Sequence, residues 1–489
     1  MKPPPFDATP FMRALATARV AQLRRLDPVA AQRRVLARLL KRAAGTRFGE
    51  AHGFAGIGDV AAYQAAVPLR DYEAFWREWW QPAYPVLRDV SWPGVVPYFA
   101  LSSGTTSGRT KYIPVTAAMV RANRRAGFDT LAWHFANHPR SHIFAGLAFM
   151  LGGSTALEQV APKGMPSVRQ GDLSGIAAAE IPRSLRRWSW PPAELALEAD
   201  WDRKLAALAR QTPASRVHVL TGTPSWLLML LEQLPPLPKL ELLVHGGVAW
   251  GPYRERIAPF LPPGCETREV YPASEGFIAA ADAGEGEGLR LNLDRGIFFE
   301  FVPVEELGRE RPVRHWAETI ETGQDYAVVL TTCAGLFGYV LGDTVRFVSR
   351  TPPRLLVTGR TSYQLSAFGE HLHGAEIEAA LLAVAPAVRE YTVGPVFAGA
   401  RGHHHWLVES EAAVDAAALD AKLSALNADY SAHRQGGQLL APVVTRLPPG
   451  RFNAWMRAQG KLGGQHKVPR VIADPARFAA AAASLTARD

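Results

Sequence analysis

The stretch LSSGTTSGRTKYIPVT, residues 101–116, is typical of a loop that holds phosphate. Glycine and small hydroxyl residues let free backbone N–H groups surround an anion, and Lys111 adds a mobile positive charge. The apolar run at residues 95–100 predicts a strand before this loop, and the apolar spacing from Met119 onward predicts a helix after it. We therefore expect a phosphate-binding loop at a strand-to-helix turn.

The spacing of this loop differs from that of a Walker loop. Only three residues separate Gly104 from Gly108, and the lysine follows three positions after the second glycine, so the pattern G-x-x-x-x-G-K-[ST] does not match. Clusters of Ser, Thr and Gly also occur in ordinary solvated loops. The loop alone therefore leaves phosphate binding and a solvated turn as alternatives.

Two later segments carry residue types that suit the same ligand. In VYPASEG, residues 270–276, a strand ending at Tyr271 and a tight turn would present an aromatic ring to a base and the Glu275 carboxylate to a phosphate-bridging metal ion. In YVLGD, residues 339–343, Asp343 at a glycine turn is placed to accept hydrogen bonds from ribose hydroxyls. A core aromatic and an ordinary Gly-Asp turn are the alternatives.

The order of these segments resembles that of the adenylate-forming enzymes. SSGTTSGRTK is similar to their phosphate loop, HGGVAW to their adenine-side Gly-Gly segment, YPASEG to their aromatic-x-x-[ST]-E segment and YVLGD to their ribose-binding Gly-Asp. Residues 359–381 resemble their hinge. The resemblance implies an α/β protein with the adenylate-forming enzyme fold: a large N-terminal α/β domain with mixed sheets, and a small C-terminal α+β lid domain.

Within that superfamily the chain most resembles the auxin-responsive acyl acid amido synthetases, the Gretchen Hagen 3 family, and especially its bacterial members. The similar phrases are TGTPSWLL, HGGVAWGPY, VYPASEGFIAA, DRGIFFEFVP, TTCAGLFGYVLGDTVRF and GQHKVPR. The resemblance implies that ATP and Mg²⁺ serve to activate a carboxylic acid as its acyl adenylate. The acyl group then passes to the amine of an amino acid.

The resemblance also implies roles for individual residues. The nucleotide-binding residues would be Ser102, Ser103, Gly104, Thr105, Thr106, Ser107, Gly246, Gly247, Tyr271, Ala273, Ser274, Glu275, Asp343 and the hinge residue Arg360. The catalytic residues would be Lys111, Glu275, Lys461 and Lys467, with Glu275 as the Mg²⁺ ligand. Both lysines of the Gly-rich segment QGKLGGQHKVPR can equally be ordinary surface residues, and the sequence does not choose between them.

The chain of 489 residues is long enough for more than one domain. We expect residues 1–365 to form the domain that binds ATP and the acyl acid, and residues 366–489 to form the lid. Helices are predicted up to about Ala65, followed by alternating strands and helices that favour a mixed, largely parallel sheet. In the lid we expect a hairpin over residues 388–409, helix signals over 412–434, a strand over 441–447 and a last helix near 452–459.

Composition excludes several other classes of protein. Lys and Arg total 54 against 45 Asp and Glu, and the resulting charge of +9 invites a nucleic-acid interpretation. The basic residues, however, alternate with Ala and Leu, as on the wet faces of amphipathic helices. No apolar run reaches the roughly 18 to 20 residues of a membrane helix. We expect a cytoplasmic monomer that binds neither nucleic acid nor membrane, and the two cysteines support no disulfide framework.

The chain departs from the plant family pattern at the acid-binding helix. Counting from Ser102, Gly127 and Thr130 stand where plant members have a Tyr and an Arg. Arg124 or Arg125 is a candidate substitute, although a solvated helix face is the alternative. Two other functions stay open at this point: an acyl- or aryl-CoA ligase, and a catalytically silent protein that binds nucleotide or acid.

Overall fold

The computed structural model describes residues 6–103, 110–153, 156–198, 200–248, 250–361, 364–365, 367–368, 370, 372–398, 401–437, 439–460 and 467–487. The described residues divide into two compact units. The first extends to Leu341 and also includes Arg346–Leu356, and the second contains Gly342–Val345 and the chain from Val357 onward.

The helices of the first unit begin where side chains can accept the free N–H groups of a first turn. The Asp27 carboxylate accepts from the Ala30 N–H at 2.6 Å ahead of Pro28, and Thr116 accepts from Met119 at 3.1 Å. The helices are α1 (Thr9–Arg24), α2 (Pro28–Ala43), α3 (Arg47–Ala51), α4 (Val60–Ala66), α5 (Tyr72–Phe75), α6 (Ala117–Asn137), α7 (Leu173–Ala179), α8 (Ala193–Ala196), α9 (Trp201–Gln211), α10 (Pro224–Leu231) and α11 (Gly251–Ile257). The helices expected before Ala65 are confirmed.

The first fifteen strands form two sheets. They are β1 (Tyr98–Ser103), β2 (Thr110–Val115), β3 (Leu147–Met150), β4 (Glu158–Gln159), β5 (Arg169–Gly171), β6 (Ser189–Trp190), β7 (Val217–Gly222), β8 (Leu242–Gly246), β9 (Glu266–Ala273), β10 (Gly276–Ala280), β11 (Leu289–Leu291), β12 (Ile297–Pro303), β13 (Asp325–Thr332), β14 (Tyr339–Arg350) and β15 (Pro353–Arg360). The small sheet has the order β2-β1-β5-β4, and the large one β12-β13-β14-β15-β11-β10-β9-β8-β7-β3-β6. Strands β14 and β15 contribute residues to both units.

The large sheet is mixed, as expected, but it is not largely parallel. Strands β6, β3, β7, β8 and β9 pair in parallel, whereas β9 with β10, β10 with β11, β11 with β15 and β12 with β13 pair antiparallel. The parallel strands are mostly joined by helices such as α9 and α10. The connections from β9 to β10 and from β10 to β11 contain no helix. Because parallel neighbours need a long crossover connection, strands joined in this way pair antiparallel.

The second unit is an α+β structure with its own apolar core. Its elements are β16 (Gln364–Leu365), β17 (Leu372–His373), α12 (Gly374–Val384), β18 (Glu390–Ala398), β19 (Arg401–Glu409), α13 (Ala416–Leu426), α14 (Ala428–Gln435), β20 (Val443–Leu447), α15 (Arg451–Ala458) and α16 (Pro475–Thr486). Strands β18 and β19 form the expected hairpin, and β20 pairs with β19 in parallel. Trp406, Tyr391 and Tyr430 are buried in this core.

The helix predicted near residues 452–459 is confirmed as α15, but it is not the last helix, because α16 follows it. Its sequence, PARFAAAAASLT, is rich in Ala, which has the highest helix propensity. Asp474 caps the first turn by accepting from the Arg477 N–H, and Phe478 packs into a core cluster with Leu407 and Phe452. Within the described residues, no helix is both long and apolar enough to cross a membrane.

Candidate active site

The segment after the Ser/Thr/Gly motif is a strand, so the expected strand-to-helix turn was wrong. Strands β1 and β2 pair antiparallel, with Ser102 opposite Lys111 and Ser103 opposite Thr110. Helix α6 begins only at Ala117, after the β2 residues TKYIPV have completed the pairing. Lys111 therefore stands on a paired strand that leads out of the motif, directly across from Ser102.

The aromatic ring of Tyr72 lies next to the Lys111 ammonium. The Lys111 Nζ is 5.4 Å from the ring centroid, which is within the range of a cation–π contact. The Tyr72 hydroxyl also accepts a hydrogen bond from the Tyr112 N–H at 2.9 Å. Desolvation by burial raises the pKa of Tyr72, so the phenol is neutral and the ring presents its negative face to the lysine. The contact with the Tyr72 ring helps to hold the Lys111 side chain in place.

Glu275 lies in the turn between β9 and β10 and is almost completely buried, with 6% of its surface exposed. The phenol of Tyr339 donates a hydrogen bond to Glu275 Oε1 at 3.0 Å. A buried carboxylate is costly unless it is hydrogen-bonded or faces a cation, and a hydrogen bond to the ionised form favours that form. Carboxylate oxygen is the ligand type that Mg²⁺ takes, so Glu275 fits the role of a magnesium ligand.

The Gly-Gly segment ends β8, where the main chain of β9 passes very close. A Cβ atom added to Gly246 would lie 2.1 Å from the Val270 carbonyl oxygen, which only a shift of the backbone would relieve. Gly247 follows with φ of 88°, in the left-handed region that favours glycine. The two glycines therefore let β8 reach β9 beside Tyr271, which is buried.

Strand β9 continues to Ala273, two residues past the predicted end, and Ser274 is buried in the turn.

In the second unit, three of the predicted site residues interact through their charges. The Asp343 carboxylate forms an ion pair with Arg360 at 2.9 Å. The pKa of Lys467 is lowered to about 8, first by desolvation of its ammonium group and then by the positive charge of Arg360. The negative charge of Asp343 acts in the opposite direction. The Lys467 residue as a whole is exposed to solvent. The expected glycine turn at Asp343 was wrong, since Gly342 and Asp343 lie within the continuous strand β14. Gly342 has φ of 91°, which explains why a glycine precedes the aspartate.

The structure thus assembles the predicted residues in separate groups. Within the first unit it pairs Ser102 with Lys111, and within the second it gathers Asp343, Arg360 and Lys467. The predicted residues Gly104, Thr105, Thr106, Ser107 and Lys461 lie outside the described residues. Their roles stay predictions.

Tyr72 and Tyr339 are the contributors that the sequence did not reveal. Tyr72 lies 39 positions before Lys111, and Tyr339 lies 64 positions after Glu275. Tyr339 opens the YVLGD motif, so its place in that motif was the available signal. No local pattern pointed to Tyr72, because its contact with Lys111 exists only after the chain has folded.

The candidate acid-binding arginines lie on the exposed face of α6. Arg124 and Arg125 are both exposed on α6, which confirms the solvated helix face. Thr130 is buried and donates its hydroxyl to the Ala126 carbonyl at 3.3 Å. The neighbouring Asp129 accepts hydrogen bonds from Arg19 and from Arg295, so this part of the helix is engaged in a partly buried ion-pair cluster.

Three family models match the chain in succession. The GH3 family N-terminal domain matches residues 22–212, the GH3 family central domain residues 291–360, and the GH3 family C-terminal domain residues 372–476. The chain belongs to the GH3 family. The Gretchen Hagen 3 resemblance is thereby confirmed.

One GH3 relative covers nearly the whole chain, and a second covers about half of it. The indole-3-acetic acid-amido synthetase GH3.8 of Oryza sativa subsp. indica is 23% identical over 96% of this chain and 93% of its own length. The indole-3-acetic acid-amido synthetase GH3.3 of Arabidopsis thaliana is 25% identical over 51% of this chain and 46% of its own length.

Solved structures share the fold. The GH3.15 acyl acid amido synthetase superposes with a TM-score of 0.75 at 16% identity, over 96% of this chain and 95% of that one. A 2-hydroxyisobutyryl-CoA ligase, solved in the postadenylation state with R3-HIB-AMP, superposes with a TM-score of 0.57 at 17% identity, over 92% of this chain and 91% of that one. The GH3 family member is thus built on the fold of the adenylate-forming ligases.

Proposed function

We propose that this GH3 family protein is an ATP- and Mg²⁺-dependent acyl acid amido synthetase. It activates a carboxylic acid as its acyl adenylate and transfers the acyl group to an amino acid or another amine. The observation that carries the proposal is the succession of three GH3 domains along one chain, together with an amido synthetase relative that covers 96% of it. The functional domains proposed are residues 1–365 for ATP and acid and residues 366–489 for the lid.

In the first step the acid carboxylate attacks the α-phosphorus of ATP, and pyrophosphate leaves. Negative charge grows on the departing oxygens, so a fixed positive charge beside them stabilises the transition state more than the ground state. The position of Lys111 suits this role. Lys111 lies on the strand that leads out of the Ser/Thr/Gly motif, and its ammonium contacts the ring of Tyr72. Ser102, Ser103, Gly104, Thr105, Thr106 and Ser107 are proposed to surround the phosphates.

Magnesium, when bound with ATP, would neutralise phosphate charge and orient the leaving group. We assign Glu275 as its protein ligand. The hydrogen bond from Tyr339 fixes one carboxylate oxygen and favours the ionised carboxylate that a cation requires. Gly246, Gly247, Tyr271, Ala273 and Ser274 are proposed to line the nucleoside side of the site.

The residues of the second unit are assigned to the ribose and to the second step. Asp343, held by Arg360, presents carboxylate oxygens suited to ribose hydroxyls. Lys467, with its pKa lowered to about 8, is a cation whose charge responds to modest changes in pH. It and Lys461 are the two candidates for the lid lysine. We also propose that the enzyme acts as a cytoplasmic monomer.

The experiment that tests this function measures pyrophosphate release from ATP with a panel of aryl and indole acids. Each reaction is repeated with pooled amino acids or with CoA, and the products are identified by mass spectrometry. An acyl amide formed with amino acids and no thioester formed with CoA is the expected result. A thioester and no amide would show that the protein is an acid–CoA ligase and not an amido synthetase. ATP binding without activation of any acid would favour a silent binding protein.

A further inference from the structure

Three side chains that bind metals well meet at the end of helix α6, and none of them belongs to a nucleotide motif. His134 lies in the last turn of α6, His138 is the residue directly after the helix, and Glu266 is the first residue of β9. One ligand atom from each of the three lies within 4.8 Å of the other two. His134 and Glu266 are separated by 132 positions in sequence, so the fold alone brings them together.

The spacing of the histidines suits a shared ligand. Residues four apart on a helix lie on the same face, one turn above the other. The two imidazole rings are stacked, with centroids 5.0 Å apart and planes 18° apart. Nε2 of His138 also contacts Oε2 of Glu266 directly, so the carboxylate reaches the same point from the neighbouring strand.

Further residues hold the three side chains in position. His134 Nε2 is hydrogen-bonded to the Ser141 hydroxyl at 2.9 Å, and its Nδ1 is buried with no hydrogen-bond partner within the described residues. Arg268 donates to Glu266 Oε1 at 2.9 Å, on the oxygen that does not face His138. A ligating imidazole usually has its second nitrogen hydrogen-bonded, and a ligating carboxylate its second oxygen, because these outer contacts fix the orientation.

A cleft of about 420 Å³ lies beside the cluster. It is lined by His134, His138, Asn137, Ser141 and Glu241, among others. The carboxylate of Glu241 adds negative charge to this wall. A cation held by the cluster would therefore have water, or a small ligand, at its open side.

We propose that His134, His138 and Glu266 form a site for a divalent transition metal of the Zn²⁺ type, with a fourth position open to the cleft. Two imidazoles and one carboxylate are a ligand set of zinc sites that keep one position for water. Mg²⁺ and Ca²⁺ take oxygen ligands, so this site is chemically distinct from the proposed magnesium position at Glu275. The metal would tie the end of α6 to the start of β9.

The test uses the full chain without an affinity tag, stripped of metal by a chelator. Zn²⁺ is titrated against a competing chromophoric chelator in the presence of millimolar Mg²⁺, and Co²⁺ binding is followed by its visible absorption. We expect about one Zn²⁺ per chain, a rise in the unfolding temperature on binding, and a Co²⁺ spectrum of a low-coordinate N/O site. Absence of Zn²⁺ binding by the wild-type chain would overturn the proposal.

Variants locate the site. His138→Ala and Glu266→Gln should each weaken Zn²⁺ binding by at least about tenfold, because a ligand is lost. His142→Ala is the matched control, since His142 is an exposed histidine in the loop after α6 whose side chain pairs with Asp7. His405→Ala controls for the three consecutive histidines of β19. Wild-type affinity in both His138→Ala and Glu266→Gln, or a loss that appears only in His405→Ala, would contradict the assignment. Far-UV circular dichroism of the metal-free variants separates loss of a ligand from loss of the fold.

Discussion

The phenol of Tyr339 donates a hydrogen bond to the carboxylate of Glu275 at 3.0 Å, and both residues are buried in the first unit. Tyr339 opens β14 and Glu275 lies in the β9–β10 turn, so the contact joins two motifs that are far apart in sequence. It gives the proposed magnesium ligand a fixed orientation before any nucleotide arrives. Preorganisation of this kind is the usual source of electrostatic stabilisation in active sites.

Tyr339→Phe should lower the rate of acid-dependent pyrophosphate release about tenfold and raise the Mg²⁺ concentration needed for half-maximal rate. A hydrogen bond to a charged group contributes about 1.5–3 kcal/mol, and its loss frees the carboxylate to turn. The measurement is the rate as a function of Mg²⁺ concentration. Glu275→Gln, which removes the charge at constant shape, should give a larger loss in the same assay.

Tyr430→Phe is the control for that variant. Its phenol also donates to a carboxylate, Asp420, at 2.7 Å, but it lies in the core of the second unit. It should reduce stability and leave the Mg²⁺ dependence of the folded enzyme unchanged. An equal change of Mg²⁺ dependence in both variants would show that Tyr339 acts through general stability.

Lys111→Ala should reduce the turnover of the adenylation step about a hundredfold while changing stability little. Removal of one preorganised donor to developing charge typically costs about 3 kcal/mol, whereas the half-buried contact of Lys111 with one aromatic face contributes about 1 kcal/mol. Single-turnover formation of acyl adenylate and thermal unfolding are measured on the same preparation. Lys163→Ala, at an exposed lysine, serves as the control. A large loss of stability with near-normal turnover would assign Lys111 a structural role.

Gly246→Ala should impair both folding and nucleotide binding, because the added methyl group meets the Val270 carbonyl at 2.1 Å and forces β8 away from β9. Gly284→Ala is a matched control, since no atom lies within 4 Å of its added Cβ. Thermal unfolding and ATP affinity are measured for both. Equal behaviour of the two variants would mean that the backbone at Gly246 adapts without cost.

The pKa of Lys467, lowered to about 8, predicts a pH effect whose sign follows from its charge. The side chain is a cation below about pH 8 and neutral above it. If its charge serves departing phosphate oxygens, adenylation should fall as pH rises through about 8. Lys467→Arg should remove that fall, because a guanidinium stays charged over the whole range. An identical pH profile in wild type and Lys467→Arg would exclude Lys467 from this step.

Local patterns predicted those elements whose signals lie within one segment. The strand at residues 217–222 and the helix at residues 201–211 have the predicted bounds, because each carries a clear apolar periodicity between turn residues. The hairpin over residues 390–409 followed from alternation of the same kind. The order of the motifs along the chain was enough to indicate the adenylate-forming fold.

Contacts between distant segments could not be predicted in this way. The β2 strand was missed because it is only six residues long and is followed directly by the apolar pattern of α6. The contact of Tyr72 with Lys111 has no local signature, and neither has the meeting of Glu266 with His134. Only the four-residue spacing of the two histidines at the end of α6 was visible in the sequence, and a pair at that spacing is common in ordinary helices.

The central claim is that this GH3 protein makes an amide bond through an acyl adenylate. The most direct measurement is mass spectrometry of the products formed from ATP, an acid that triggers pyrophosphate release, and either pooled amino acids or CoA. We expect an acyl–amino acid conjugate together with AMP, and no thioester. A thioester in the CoA reaction with no conjugate in the amino acid reaction would contradict it.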